Sequence, residues 1–594
     1  MKLQEFIKQG TFCVAIFLVA GALVAQDPPQ AAAGDPAGYP PANGAPAMDP
    51  PGRVARLNYT NGNVSLRADN VPDWAPASLN FPLTTGYHLW TDQGSHAELH
   101  IGTTAIRLAD ETALAILNLD DRVTQLSLTQ GALNVRVASL NPGETLEVDS
   151  PNGAVTIERA GAYRFDVNND GTMSVLTVRA GAASVATGGQ SVEVNANQRV
   201  HYSGDQETPD VVAAPAPDPW DQWCSGRDTN DDRAVQASAR YVPPDMNGAA
   251  DLGGYGNWRS DPMYGNMWVP TAVAPGWAPY RFGHWAYIPP WGWTWIDDAP
   301  WGFAPFHYGR WVIVAGTWAW VPGRIVHPVY APALVAFVGG PGFGVGIGLG
   351  GMGFAAWIPL GPFEVFHPAY RVSAVYVTNV NVAHVTNINV TNVTYVNRSF
   401  VTAVPAATFT GARPVAASAV RVPPEAIGRM QPTAVNNLRP SREAMAGTTI
   451  AAGARVSAPP ASVASRGIVA RTPLPSGSQS AGQTRLVTNA PTGAGGGNGF
   501  NRPAINDRPP AARGGGSTGG QPSNSMMPNR PANTTPATQP QPQRPANLTT
   551  PQQQRPPQRP TLQPQHQASR PAPVQQRTPP KNEPKGRPGG EKKP

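Results

Sequence analysis

From Arg53 onward the chain alternates apolar and polar positions in short runs. Val64-Ser-Leu66, Ala97-Glu-Leu-His-Ile101 and Thr104-Ala-Ile-Arg-Leu108 send successive side chains to opposite faces, the period of half-buried strands. The alternation returns at residues 126–128, 132–137, 146–148, 155–157, 163–167, 175–178 and 192–194. Gly131, Gly143, Gly153, Gly161, Gly171, Gly181 and Gly189 punctuate the later runs at spacings of eight to twelve. Short strands at that interval predict an antiparallel sandwich or small roll over residues 53–205.

A second pattern follows. Eleven of the 16 tryptophans fall between Trp258 and Trp320. The decamer from Gly276 to Trp285 returns 26 residues later from Gly302 to Trp311. Read more loosely there are three copies: Tyr255-Gly-Asn-Trp258 leading to Trp268, Phe282-Gly-His-Trp285 leading to Trp293-Thr-Trp295, and Tyr308-Gly-Arg-Trp311 leading to Trp318-Ala-Trp320. A fixed period marks repeated supersecondary units. Short, aromatic, glycine-punctuated units predict β-hairpins, here over residues 251–372. Repetition at matching positions makes Trp285, Trp295, Trp311 and Trp320 core residues. Trp291, Trp293 and Trp301 break the alignment and are the candidates for exposed ligand-contact aromatics.

Both regions resemble known families. Thr91-Asp-Gln-Gly-Ser-His-Ala-Glu-Leu99, Leu126-Ser-Leu-Thr-Gln-Gly-Ala-Leu-Asn-Val135, Val148-Asp-Ser-Pro-Asn-Gly-Ala-Val155, Gly161-Ala-Tyr-Arg-Phe-Asp-Val167 and Val178-Arg-Ala-Gly-Ala-Ala-Ser-Val185 together resemble the FecR-type periplasmic domain over residues 54–203. Ser150 stands where that family has Thr, Asn152 is inserted, and Ala162 replaces a further Thr. The resemblance implies an all-β extracytoplasmic domain, found in iron-transport sigma regulators and in stand-alone surface proteins. The regulator role needs a cytoplasmic segment ahead of a membrane helix. Ten residues precede the apolar run here, so a stand-alone exported protein is the expectation. The segment from Tyr308 to Gly323 is similar to the YXWGXW-type tryptophan repeats of exported bacterial proteins, which implies location and not activity.

The remaining stretches frame these two regions. Lys2 and Lys8 precede an apolar run at residues 11–25, ended by Gln26-Asp27-Pro28, which reads as a signal peptide over residues 1–25 with an uncleaved anchor as the rival. After cleavage no stable transmembrane span is expected. Residues 26–52 read as a disordered linker and 206–250 as a second linker. Residues 337–354 are apolar and glycine-rich and read as a loop, not a membrane helix. Residues 373–454 combine linker with an Asn/Val ladder, extended at residues 375–396 and suited to pack on the repeat domain or form an edge. Residues 455–594 are rich in Pro, Gln and Arg and read as a disordered tail. The fold expected is all-β, a FecR-like sandwich or roll plus an aromatic-repeat domain.

Charge refines this picture. The net charge of +6 hides a basic tail, with 14 Arg and 4 Lys against Asp507, Glu583 and Glu591, and a body of −9. In an exported chain such a tail meets anionic surfaces and not nucleic acid. Only Cys13 and Cys224 occur, so the mature chain has no internal disulfide, and Cys224 is expected to be buried beside Trp220 and Trp223.

No catalytic, metal or cofactor site is assigned. Asp166-x-Asn168-x-Asp170-Gly171 matches half a calcium loop, but the twelfth position is Thr177, and an Asp-Gly hairpin turn is preferred. Asp228-x-Asn230-Asp231-Asp232 reads as a solvated or self-paired acidic loop. His284, His307, Asp297 and Asp298 could serve a metal or acid/base chemistry. However, His284 aligns with Asn257 and Arg310, which reads as a polar surface slot. The function expected is an exported, non-enzymatic envelope or surface scaffold that binds an envelope polymer or protein. A FecR-like periplasmic sensor is the alternative.

Overall fold

The computed structural model describes residues 49–487 other than 205–208, 350–352, 382–383, 385–394, 436, 449–455, 477 and 479–483. The stretches expected to be a signal peptide and most of the first linker, and the tail beyond 487, lie outside the described residues.

Strands between Ala55 and Ala213 build two layers joined by one long strand, Val123–Val137. Its first half pairs with Thr112–Leu119 and its second half with Thr104–Leu108 and Gly161–Val167. The sequence reads as two runs broken at Gly131, whereas the structure makes one strand that turns a corner there. Gly131 has φ 92°, and a Cβ on it would meet Thr112 Oγ1 at 2.3 Å, so only glycine carries the strand between layers. Leu126, Leu128, Leu133 and Val135 point into the core on either side of the corner. One pairing departs from the antiparallel expectation. Thr145–Asp149 runs parallel to the first half of Val123–Val137. Residues 138–144 cross back from one layer to the other, so the chain re-enters beside the start of its own preceding strand.

The segment read as a linker at 206–250 holds the edge strand Asp210–Ala213 and a twenty-residue helix, α1 (Pro219–Ser238). Asp218 caps it, accepting from Asp221 N while the Asp221 carboxylate accepts from Asp218 N, with Pro219 in the first turn. That capping signal is in the sequence, but the Asp-rich stretch that follows masks it. The short helix α2 (Ala249–Tyr255) then leads into the repeats.

The three expected hairpins are present: Gly256–Asp261 with Gly265–Pro270, Gly283–Ile288 with Gly292–Asp297, and Arg310–Val314 with Thr317–Val321. In each, the two repeat tryptophans face each other across the strands, as Trp258 with Trp268, Trp285 with Trp295 and Trp311 with Trp320. The first and third hairpins join through Trp268 and Trp320 into one sheet. The repeat glycine has a steric cause. A Cβ on Gly256, Gly283 or Gly309 would lie 2.3, 2.7 or 2.4 Å from the indole of Trp268, Trp295 or Trp320. The Gly-x-Trp spacing therefore lets the indole of the paired strand approach the glycine backbone closely.

Downstream, Val335–Gly339, Phe354–Pro359 and Thr402–Pro405 form a further sheet, so the glycine-rich stretch is partly strand. The Asn/Val ladder is not extended where it is described: Ala374–Asn381 is α-helix. The Ser373 hydroxyl caps it, accepting from Tyr376 N. At its far end the buried Asn381 amide bridges Phe366 and Arg310, contacts that only the helical turn delivers. Residues 385–394 of the ladder lie outside the described residues. Residues 456–476, the start of the stretch read as disordered, are folded against the first domain, with Val463, Ile468, Val469 and Ala470 buried.

The two β domains pack together through a buried polar seam. Asn80 accepts from Arg56 at 2.8 Å and donates to the carbonyls of Asp297 and Ala299 at 2.9 and 2.7 Å. Arg56 also reaches Asp251 and Pro300 O, and Asn247 ties Val54 O to Gly102 N. Each group at this seam is satisfied across the boundary, which is the condition for burying it.

Candidate functional site

The densest cluster of titratable groups lies where α1 crosses the first domain. Alternation in His96–Ile101 turns Glu98 and His100 outward, and Arg107 of Thr104–Leu108 faces the same way. The helix then covers them. Glu98 and Arg107 are fully buried. Glu98 accepts from Arg107 Nε at 2.6 Å, from Arg227 Nε and Nη2 at 2.6 and 2.7 Å, and from Asn58 at 2.7 Å. Arg107 spans on to Asp228 at 2.6 Å and Asp231 at 3.0 Å. Burial alone would raise the Glu98 carboxyl, but Arg227, His100 and Arg107 outweigh it and hold it well below the usual carboxylate range. Burial, opposed by His100, raises Asp231.

An aromatic stack continues the same junction. His96, Trp220 and Trp223 lie in sequence with ring centroids 5.1 and 4.9 Å apart, and the Arg227 guanidinium sits 4.5 Å over Tyr59. Cys224 is buried here as expected, and burial pushes its thiol up to about 12, so it is a poor nucleophile. The acidic motif at 228–232 is therefore helical and cross-paired with Arg107 and Arg136, not a solvated loop. Sequence reasoning missed the cluster because Arg227 lies 129 residues from Glu98 and Asp228 lies 121 from Arg107, on a helix the local pattern does not announce.

Glu98, His100 and Asp231 present ligand atoms within 4.8 Å of one another. His100 Nε2 lies 3.1 Å from Glu98 Oε1. Yet both Glu98 oxygens already accept from guanidiniums, and a divalent cation would have to sit beside two fixed positive charges. The arrangement is suited to holding α1 in place.

The other sequence candidates are dispersed. Asp170 and Asn168 close the hairpin turn onto Thr172 and Met173, with Gly171 at φ 75°, while Asp166 turns back to Arg164. His284 reaches Gly447 O, and His307 reaches Ala331 O. Burial drives His307 down to about 3. Asp297, raised well above its usual value by burial, accepts from Trp295 Nε1 and Ala299 N. Asp298 is an electrostatic neighbour of both His284 and Asp297. The slot shared by Asn257, His284 and Arg310 is not uniformly a surface one: Asn257 is exposed, His284 half-buried and Arg310 fully buried. Trp291, Trp293 and Trp301, expected to be exposed, are 3, 9 and 3 % exposed. They break the repeat alignment because they fill gaps between hairpins and later segments: Trp291 packs on Tyr330, Trp293 on Phe409 and Trp301 on Trp268.

Two sheets sharing a cornered strand, followed by glycine-seated tryptophan hairpins, agree with the family comparisons. Residues 87–184 match the FecR protein family. The chain carries a FecR domain. Behind it, residues 249–364 match a family of unknown function, DUF6600, which covers all three hairpins. Two solved structures, each of a candidate anti-sigma factor from Parabacteroides distasonis, are similar at 11 % identity. The first covers 22 % of this chain and 60 % of its own with TM-score 0.20; the second covers 31 % and 99 % with TM-score 0.21. At those scores the likeness carries no argument. No curated protein matches. FecR-type proteins are envelope-associated. Among the described residues no helix is long and apolar enough to cross a membrane.

Proposed function

We propose that this FecR-domain protein is an exported, non-enzymatic binding scaffold of the bacterial envelope, whose partner is an envelope polymer or envelope protein. The observation that carries this reading is the buried seam of Arg56, Asn80, Asn247 and Asp251, which makes the FecR domain and the tryptophan repeats one body. A rigid body holds surface groups in fixed register, as recognition of a repetitive or large partner requires. The basic tail would add weak contacts to anionic surfaces, and such contacts gain from multivalency. Incubating the purified full chain with cell-wall and outer-membrane fractions tests it. Retention on one fraction at low salt is expected, and retention on none sinks the reading.

The FecR domain itself favours a second reading, a periplasmic sensor in transmembrane signalling. Intact mass and N-terminal sequence of the chain from fractionated cells separate the two. A processed start at residue 23 or 26 in the soluble or surface fraction fits the scaffold, and an intact Met1 in the inner membrane fits the sensor.

A further inference from the structure

The outer face of one FecR-domain layer carries polar side chains in cross-strand rows. Gln125, Glu147, Thr156 and Ser184 are consecutive partners across four strands, and Ser191 lies one row away on a fifth. Alternation predicts that these residues face solvent. Instead Gln125 and Glu147 are fully buried and Ser184 nearly so. What covers them is the chain's own segment 456–476.

The contacts are concentrated on one dipeptide. Glu147 accepts from Arg471 N at 2.7 Å, from Thr472 N at 2.9 Å and from Thr472 Oγ1 at 2.7 Å. Gln125 donates to Thr472 O at 2.9 Å. The Arg471 guanidinium lies across the strands and donates to Ser184 Oγ at 2.9 Å, Ser191 Oγ at 3.1 Å and Thr156 Oγ1 at 3.3 Å. Val469 N meets Ser150 O just beyond. Arg471 and Thr472 are thus read through backbone and side chain alike. A buried carboxylate that spends its acceptors on two peptide N–H groups and a hydroxyl, with no guanidinium on it, is built to hold extended chain and is not a salt bridge. Asp149, raised by burial and by Glu147 beside it, shares the floor of the groove and accepts from Gln125.

We propose that this face is a peptide-binding groove for an extended Arg-Thr-Pro segment, and that Arg471-Thr472-Pro473 occupies it as a tethered ligand. The exchangeable occupant is a free extended peptide that carries this tripeptide, and the second copy of the motif in the sequence, Arg577-Thr578-Pro579, supplies the probe. A tethered ligand acts at high effective concentration, so the groove accepts a free segment only when the tether's grip is weakened. The proposal is independent of whether the protein is a scaffold or a sensor.

The test uses the full chain and a fluorescent peptide of residues 572–582, read by anisotropy. The chain carrying R471A and T472A together should bind it at least tenfold more tightly than the unmodified chain. Adding E147Q should abolish that gain, and a peptide with alanine in place of its Arg and Thr should not bind. Equal binding to all chains, or none to the weakened one with its near-ultraviolet circular dichroism intact, overturns the proposal. Should the double variant fail to fold, hydrogen exchange of the unmodified chain decides. The Arg471 and Thr472 amides should open locally, at least tenfold faster than the amides of Thr145–Asp149. Exchange of both only together would mean a fixed structural strand and no groove.

Discussion

The two β domains solve the same packing problem with different side chains. In the FecR domain, Leu, Val and Ile alternate inward along strands, and burial is the whole of their chemistry. In the repeat domain the core is indole, and every buried indole carries an N–H. Trp268 donates to Leu252 O, Trp311 to Pro305 O and Trp320 to Tyr308 O, each at 2.8 Å, and Trp357 to Tyr280 O at 3.0 Å. The acceptors belong to loops, helix α2 and inter-hairpin segments. Through these four bonds the aromatic core fixes connections as well as strands, which helps three short hairpins hold shape without a large continuous sheet.

Truncation should expose that difference most strongly. Trp320→Ala removes a fully buried ring and leaves the Tyr308 carbonyl without its donor, an expected loss of about 5 kcal/mol. Leu133→Ala in the FecR core should cost about 3 kcal/mol. Trp320→Phe restores most of the volume but not the N–H, so it should keep a deficit of about 1 kcal/mol in urea unfolding. If it matches the unmodified chain, the loop-fixing role is wrong.

The polar junctions can be set against the cores. Glu98→Gln leaves Arg107 and Arg227 facing a neutral group beneath α1, with an expected loss of about 3 kcal/mol. The change should first show as faster hydrogen exchange in α1. Uniform acceleration across the FecR sheet instead would mean that the cluster holds the sheet and not the helix.

These contrasts also explain what was legible in the sequence. Period-two alternation is a local property, so the FecR strands could be read directly, and the repeat announced its hairpins through Gly-x-Trp spacing. The helix Ala374–Asn381 was not legible, because Val, Asn and Thr favour extended chain until Asn381 finds Phe366 and Arg310. Nor was the docking of Arg471, whose partners Glu147, Ser184 and Ser191 lie about 300 residues back. The same holds for the cluster under α1, where Glu98 meets Arg227 only after the helix folds across the sheet. Burial of Trp291, Trp293 and Trp301 depended on segments such as Phe409 whose placement no local pattern gives.

The glycines allow a finer comparison. Gly309 has φ 69° and an indole 2.4 Å from where a Cβ would stand, whereas Gly143 in the FecR domain has φ 84° and open space. Gly309→Ala should therefore cost about 2–3 kcal/mol and Gly143→Ala about 1 kcal/mol, the strain of positive φ alone. Equal thermal shifts would remove the steric account of the repeat glycine.

Acid should separate the regions by pH window. Burial drives His307 and His384, both in the repeat region or packed on it, down to about 3. They stay neutral in the folded chain while the unfolded chain takes up protons below about 6.5. Stability from these groups is present above that pH and is lost as pH falls from 6.5 toward 3. At about pH 5.5 each histidine should cost about 1.5 kcal/mol. Glu98, held below the usual range, loses its contribution only when pH falls through the carboxylate range and below. Asp149 and Asp297 act the other way, since their raised values favour the folded chain as carboxylates protonate. The mildly acidic loss thus belongs to the repeat region. His384→Gln, whose amide can reproduce the bond to Pro322 O, should reduce the drop between pH 7 and 5.5 by about 1.5 kcal/mol. An unchanged drop would place the acid response elsewhere in the molecule.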